Sequence, residues 1–408
     1  MLTRRSTTAL LAGLAAAPSS VFAATPSAAF YNAVGPTISW WTPDIGGASL
    51  TRGGSVAAPA LVQYAWRNPA KPLLYVASSN FVPMGDPAGK HRLTAFHIEP
   101  TTGALSPFGA PVAIHARPIN LTVDASGKWL LTAYNIPSGM SVHPLGADGA
   151  IGTEVKQAAT IDGGIFAHQV RMLPSNRALV MVTRGNNSTA TKAEDPGALK
   201  IKALNNGQLS DLASIAPGSG YGFGPRHLDF HPTKPWMFVS VERQNQLQMY
   251  RLHGDGMEPA PAFVLTTLAE PGNLRPEQMV GPIHVHPNGR FVYLGNRASG
   301  LIEVQGKKVA AGGENAIAVF SIDQNNGEPR MAQTIDTHGY HPRTFSIDPG
   351  GRMLVVANLL AIQVQDEKVQ PATLSTYKIG DDGKLTFVRA YDIETNGMTQ
   401  WWSGFIRT

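Results

Sequence analysis

The chain repeats itself, and the repeat limits what it can fold into. Six segments read alike: an extended run, a turn built on Pro or Gly, a second extended run, then a third run and a Gly-centred turn. They begin near Pro59 (PALVQYAWRNPAKPLLYVASSN), Arg117 (RPINLTVDASGKWLLTAYN), Ala167 (AHQVRMLPSNRALVMVTRGNN), Pro225 (PRHLDFHPTKPWMFVSVERQN), Pro282 (PIHVHPNGRFVYLGNRASG) and Pro342 (PRTFSIDPGGRMLVVANLL). Pro69, Ala125, Pro174, Pro232, Pro287 and Pro349 mark the first turn of each, so the unit recurs roughly every 50 to 60 residues. Third runs such as AIAVFSIDQNNGEP and TLSTYKIGDDGKL close on Asn-Gly or Asp-Gly, the pairs that favour two-residue hairpins. A unit of this size with four short antiparallel strands is a propeller blade.

Six units with pieces left over at both ends predict a seventh. FYNAVGPTISWWTPDI near the start and MTQWWSGFIRT at the end complete it together, so that no strand edge stays open. The expected fold is therefore all-β: a single seven-bladed β-propeller, its seventh blade closed by N- and C-terminal strands. Composition agrees where it bears on this. The 42 glycines and 31 prolines in 408 residues punctuate turns, and Phe291-Val292-Tyr293-Leu294 suits a strand buried on both faces. With no cysteine, a disulfide scaffold and a thiolate metal site are excluded.

The propeller is expected to follow an export signal. Arg4-Arg5 form a basic region, Ala9 to Ala17 an apolar one, and Val21-Phe22-Ala23 a small-residue cleavage site. Residues 1–23 are then removed and residues 24–408 form one domain, periplasmic or secreted. Thr3-Arg4-Arg5 leaves twin-arginine and ordinary export both open. The formal charge of +5 contains no run of five like charges, so neither a nucleic-acid partner nor a membrane partner after cleavage is expected. An anionic small molecule suits a mildly positive protein. The oligomeric expectation is a monomer or weak homodimer.

Propeller geometry turns sequence position into a list of neighbours. The start of each blade's innermost strand and the end of its second strand share one rim of the central channel. That rim collects His168, Arg184, Arg226, Glu242, Arg297, Arg117, Asn135, Arg343 and Asn358: several cations, one histidine, amides and a single obvious carboxylate. Such a funnel suits an anion. Four long connections, from Phe81 to Lys90, Asn186 to Gly197, Ser299 to Glu314 and Leu360 to Pro371, fall on the same rim and wall it in. On the opposite rim, Asp124, His231, His286 and Asp348 fall at turns, where their side chains shape the bend. Trp401-Trp402 and Trp40-Trp41 belong to the closing blade, where they lock it shut or stack on a ring.

The stretches ARPINLTVDASGKWLLTAYN, GPRHLDFHPTKPWMFVSVE, HVHPNGRFVYLGNR with AIAVFSID, and HPRTFSIDPGGRMLVVAN carry a resemblance. From about Tyr31 to Phe405 the chain resembles the seven-bladed propeller lactonases, which include the propeller type of 6-phosphogluconolactonase and the carboxymuconate lactonising enzyme. The resemblance implies a functional set of His168 in FAHQV, Arg226 in GPRH, Glu242 in SVER and Arg297 in GNRAS. It departs from the family pattern at Arg184-Gly185-Asn186, at Ala298 after Arg297, and after Val-Ala-Asn in the sixth unit.

Lactone hydrolysis needs an activated water and donors for a developing oxyanion. Glu242 is the expected general base and His168 a second acid/base group able to protonate the leaving alkoxide. Arg226 and Arg297 hold a substrate carboxylate or the oxyanion. Arg117, Asn135, Arg184, Arg343, Asn358 and Trp401 are expected to bind substrate. No cofactor and no metal are expected: arginines crowd the mouth where a dication would need carboxylates, and His284-x-His286 reads more simply as strand and turn residues. The expected activity is metal-independent hydrolysis of a small, non-phosphorylated sugar or carboxylated lactone. Two alternatives stay open: a lactonising or cycloisomerising enzyme, and a non-catalytic ligand-binding propeller.

Overall fold

A computed structural model describes residues 28–81, 88–364 and 368–408. The expected export signal lies outside the described residues. The innermost strands of the seven blades are Leu61–Arg67, Pro118–Val123, Ala167–Met172, Pro225–Phe230, Gln278–Val285, Pro342–Ile347 and Gln400–Arg407. Successive strands of each blade run antiparallel outward from these. Among the described residues, helical structure is confined to the short 3-10 turns Pro217–Gly220 and Glu242–Gln244.

The seventh blade takes its innermost strand, Gln400–Arg407, from the C-terminus and its outer three from Ala28–Val34, Thr37–Asp44 and Ser49–Ala57. Phe30 stands opposite Phe405 and Ala33 opposite Trp402. The second blade departs from the four-strand expectation. It has three strands, and its outer edge is a single bridge, Leu145 to Ile151, followed by irregular chain. The segment LGADGAIGTEVKQAATIDGG lacks an alternating apolar run, so side chains tie it to blade three instead: Gln157 accepts from the Leu209 N–H at 2.8 Å.

The core is a ring of seven apolar clusters, one between each pair of neighbouring blades. Outer hairpins dock on the preceding blade through glycine. Tyr31, Tyr75 and Tyr293 donate their hydroxyls to the carbonyls of Gly103, Gly149 and Gly383 at 2.7, 2.7 and 2.8 Å. Those glycines have φ of +73°, +94° and +77°, and a Cβ on Gly383 would lie 2.3 Å from the Phe291 ring. The Asp-Gly pair therefore serves two ends, a tight turn and a flat docking surface.

The opposite-rim residues shape turns. Asp124 Oδ1 accepts from the Lys128 and Trp129 N–H groups at 2.8 Å each, and Asp348 Oδ1 from those of Arg352 and Met353. His231 and His286 do the same with Nδ1, toward Thr233, Lys234 and Asn288.

Candidate active site

All seven innermost strands share one irregularity. Near its start each carries an extra residue relative to the second strand, at Gln63, Ile119, His168, Arg226, Gly281-Pro282, Arg343 and Trp401. A bulge kinks the strand and re-aims its side chains. In a regular strand successive side chains point to opposite faces. Here Gln63, Ile119, His168, Arg226, Pro282, Arg343 and Trp401 all line the central cavity, of about 450 Å³, and their neighbours Gln169, His227 and Thr344 line it too.

Behind this ring lies Glu242, 1% exposed. It ends the second strand of blade four, in a tight turn that Asn245 closes with a left-handed φ of 51°. Arg184 Nη1 donates to its Oε2 at 2.9 Å, and its Oε1 meets Arg226 Nε at 2.9 Å and Arg297 Nη2. The Arg226 contact is an ion pair without an aligned hydrogen bond. Burial pushes the Glu242 carboxyl up, but Arg297, Arg226 and Arg184 together outweigh it and hold the group at about 2. It stays ionised at any neutral pH. Gly281 belongs to the same cluster: a Cβ there would lie 3.2 Å from Arg297 Nε and 3.5 Å from Arg226 Nη1.

His168 is 7% exposed, and its Nδ1 is buried without a partner among the described residues. Nε2 is then the nitrogen open to the cavity. Burial first, then the charges of Arg226, Arg343, Arg184 and Arg297, hold its pKa well below the usual histidine range. The ring is neutral at neutral pH, and in the tautomer with its proton on Nδ1 the basic lone pair of Nε2 faces the cavity. His227 packs edge-on against it, with ring centroids 5.0 Å apart, and accepts from Arg226 Nη1 through Nδ1 at 3.4 Å. Because a guanidinium only donates, the His227 proton sits on Nε2. His341 likewise accepts from Arg297 Nη1 at 2.7 Å.

Arg343 is brought to the mouth, while Arg117 does not line the cavity and reaches it only through Gln63, to which it donates. The Arg343 guanidinium lies over the Trp401 ring, and that of Arg117 over the Phe81 ring. Arg184, Glu242 and Arg297 do not line the cavity but brace what does. The two predicted amides are not brought in. Asn358 spends its Nδ2 on Thr337 O and Thr373 Oγ1, at 2.9 and 2.8 Å, as part of blade packing. Asn135 is buried off the cavity at the end of its strand. His284 and His286 part company: His284 lines the channel beside Asp229, 3.7 Å away, while His286 bonds Gly351 O at 2.8 Å in its turn. Of the four long connections, Ser299 to Glu314 is largely a hairpin, Leu301–Val304 with Lys307–Ala310.

Sequence reasoning missed Gln63, Phe81, His227 and His341. Strict alternation turns His227 away from the channel, and only the bulge brings it back.

A seven-bladed propeller whose channel mouth sets a histidine among five arginines and one carboxylate offers a candidate site with the charge to hold an anion. The match to known proteins is to the seven-bladed β-propeller lactonase model over residues 22–373. The chain belongs to that family of enzymes. It is 26% identical to the 6-phosphogluconolactonase of Bacillus subtilis, covering 66% of this chain and 71% of that one. It is 24% identical to that of Serratia proteamaculans, covering 84% and 92%. In fold it is similar to the periplasmic gluconolactonase of Pseudomonas aeruginosa, with a TM-score of 0.65, 18% identity, and 90% and 97% of the two chains covered.

Proposed function

We propose that this protein is an exported lactonase that hydrolyses a small, non-phosphorylated sugar or carboxylated lactone, without a metal, at the His168 end of its channel. With five arginines in the cluster, three of them sharing Glu242 and two without a carboxylate partner among the described residues, the mouth is strongly positive, which favours an anion and repels a dication. The observation that carries the reading is the pairing of a neutral, cavity-facing His168 with the cavity-facing guanidinium of Arg226, which Glu242 anchors.

His168 Nε2 takes a proton from water as the water oxygen bonds to the lactone carbonyl carbon. Arg226 faces the oxygen that becomes negative, and His227 offers its Nε2–H beside it. An imidazolium among arginines is costly, but it forms together with the oxyanion, so the local charge stays balanced. When the ring C–O bond breaks, the alkoxide takes the proton back from His168. The product is a hydroxy acid, which releases one proton at neutral pH. This reading moves the base role from Glu242, held near 2 by three arginines, to His168. Glu242 becomes the brace that fixes Arg226 and Arg297.

Single-turnover hydrolysis by His168→Gln and Glu242→Gln tests the division of roles. Loss of the base is expected to lower kcat by about a hundredfold or more with the melting temperature kept. Loss of the brace is expected to lower both activity and melting temperature. Full activity in His168→Gln would overturn the reading.

A further inference from the structure

One side of the mouth is a ladder of cations and aromatic rings, of which Arg343, Trp401 and Gln63 line the cavity while Phe81 and Arg117 continue it outward, Phe81 lining an adjoining pocket with Gln63 and Trp401. Arg343 Cζ lies 3.4 Å from the centroid of the Trp401 ring. Trp401 meets Phe81 edge-on, with centroids 6.2 Å apart at 80°. Arg117 Cζ lies 3.9 Å from the Phe81 centroid, and its Nη2 donates to Gln63 Oε1 at 3.2 Å. Phe81 holds a left-handed φ of 63°, a strained choice for a bulky residue, and is 40% exposed. An apolar ring kept in solvent by a strained backbone needs a reason, and stacking Arg117 supplies one.

The charge on this wall is unspent. Arg184, Arg226 and Arg297 share Glu242, but among the described residues Arg343 has no carboxylate partner and no hydrogen bond, and Arg117 bonds only the neutral Gln63 amide. Burial lowers the pKa of both, that of Arg117 to about 10; a guanidinium in a protein nonetheless stays protonated. A guanidinium over a ring still donates from its edges, and a free edge forms two parallel bonds to a carboxylate; Arg343 has its edges free, whereas Arg117 turns Nε and Nη2 to Gln63 and keeps Nη1. Trp401 adds a buried indole N–H without a partner among the described residues.

We propose that the Arg343–Trp401–Phe81–Arg117 wall, with Gln63, is a subsite for a carboxylate on the substrate remote from the ring carbonyl, and that the substrate is a carboxylated lactone. This rests on the lactonase reading and chooses between its two substrate classes. Arg226 and His168 serve the reacting carbonyl, while Arg343 and Arg117 hold the far end of the molecule. The cavity is of a size for a ligand of about a dozen heavy atoms.

The test uses a sugar γ-lactone ending in a carboxylate, the same lactone ending in a hydroxymethyl group, and a phosphorylated sugar lactone. Binding of the linear acids glucarate and gluconate is measured beside hydrolysis by calorimetry. The wild-type protein is expected to prefer the carboxylated lactone. Arg343→Gln and Arg117→Gln are each expected to lower that selectivity by about tenfold to a hundredfold, the usual worth of a charge-assisted bond. Arg343→Lys, which keeps charge without the fork, is expected to recover only part. Glucarate is expected to bind more tightly than gluconate and to lose that margin in the variants.

Equal turnover of the carboxylated and hydroxymethyl lactones would overturn the subsite while leaving the lactonase reading intact. So would a phosphorylated lactone favoured more than tenfold over the carboxylated one. Glucarate selectivity that depends on Arg343, without hydrolysis of any lactone, would support the subsite and remove the hydrolytic reading.

Discussion

Three bulky residues beside the site sit in left-handed backbone, and each supports an arginine. Phe81 stacks on Arg117, Phe166 on Arg184, and His341 accepts from Arg297; their φ values are 63°, 57° and 56°. Such conformations cost of order 1 kcal/mol or more and persist where surroundings over-determine them. The arginines are thus set by strain as well as by Glu242. Residue-level predictions follow from the charges. His168 must be deprotonated to act, so kcat/KM is expected to rise with pH along a limb below the usual histidine range and then stay flat. A bound anionic substrate neutralises part of the arginine field and lifts the His168 pKa, so the limb of kcat is expected at higher pH than that of kcat/KM. Parallel pH profiles of the two constants check this. Glu242→Gln leaves buried arginines facing a neutral amide, and is expected to cost about 3 kcal/mol or more in a denaturant titration. Arg226, Glu242, Arg297 and His168 were legible because strand ends are marked by Pro and Gly, and rim position follows from them. Which of these line the cavity and which brace it was not legible, since ion pairing depends on side-chain reach across blades.

Blades are joined by devices that the sequence shows only in part. The Asn-Gly and Asp-Gly pairs announced hairpins, but not that the glycine docks beneath the previous blade's aromatic residues. Gly383→Ala places a Cβ 2.3 Å from Phe291 in a backbone with φ of +77°. It is expected to lower stability by about 2 kcal/mol, read from the urea midpoint, with kcat unchanged because the hairpin lies at the outer edge of blade six. The bulges mark the other limit of legibility. An extra residue leaves no composition signal in PINLTV or PRHLDF, yet it decides that Arg226 and His227 both face the channel. The missing fourth strand of blade two did leave a signal, the absence of an alternating apolar run after Leu145, but a repeat count assumes each unit is complete and passes over it.

At the scale of the molecule the ring is closed by eight residues. Gln400–Arg407 pairs with Ala28–Val34, and its Trp402 and Phe405 fill the two apolar clusters on either side of the closing blade. Removing residues after Thr399 opens both clusters and a strand edge, so the truncated chain is expected to lose its cooperative thermal transition and to bind an apolar dye. A cooperative melt in the truncated chain would show that closure is dispensable. The same histidines that shape the site, one buried and two partly buried, set its acid stability. His168, His227 and His341 have folded pKa values below that of a free histidine, so below about pH 6.5 the unfolded chain binds protons that the folded one refuses. Stability is expected to be complete above that pH and to fall on acidification, by up to about 1.4 kcal/mol per pH unit for each histidine. Melting temperatures of the wild type and of a His227→Gln variant from pH 7 to pH 5 check the sign, the variant losing less.

On the proposed mechanism, a neutral His168 and an anchored Arg226 open a lactone ring at the channel mouth. Its most direct test is proton release in weak buffer, with EDTA present, from the chain starting at Ala24 against five- and six-membered sugar and carboxylated lactones. Rapid release is expected with one class of lactone, reduced by about two orders of magnitude in Arg226→Ala. Release that is undiminished in a folded Arg226→Ala, or absent with every lactone in the wild type, would contradict it.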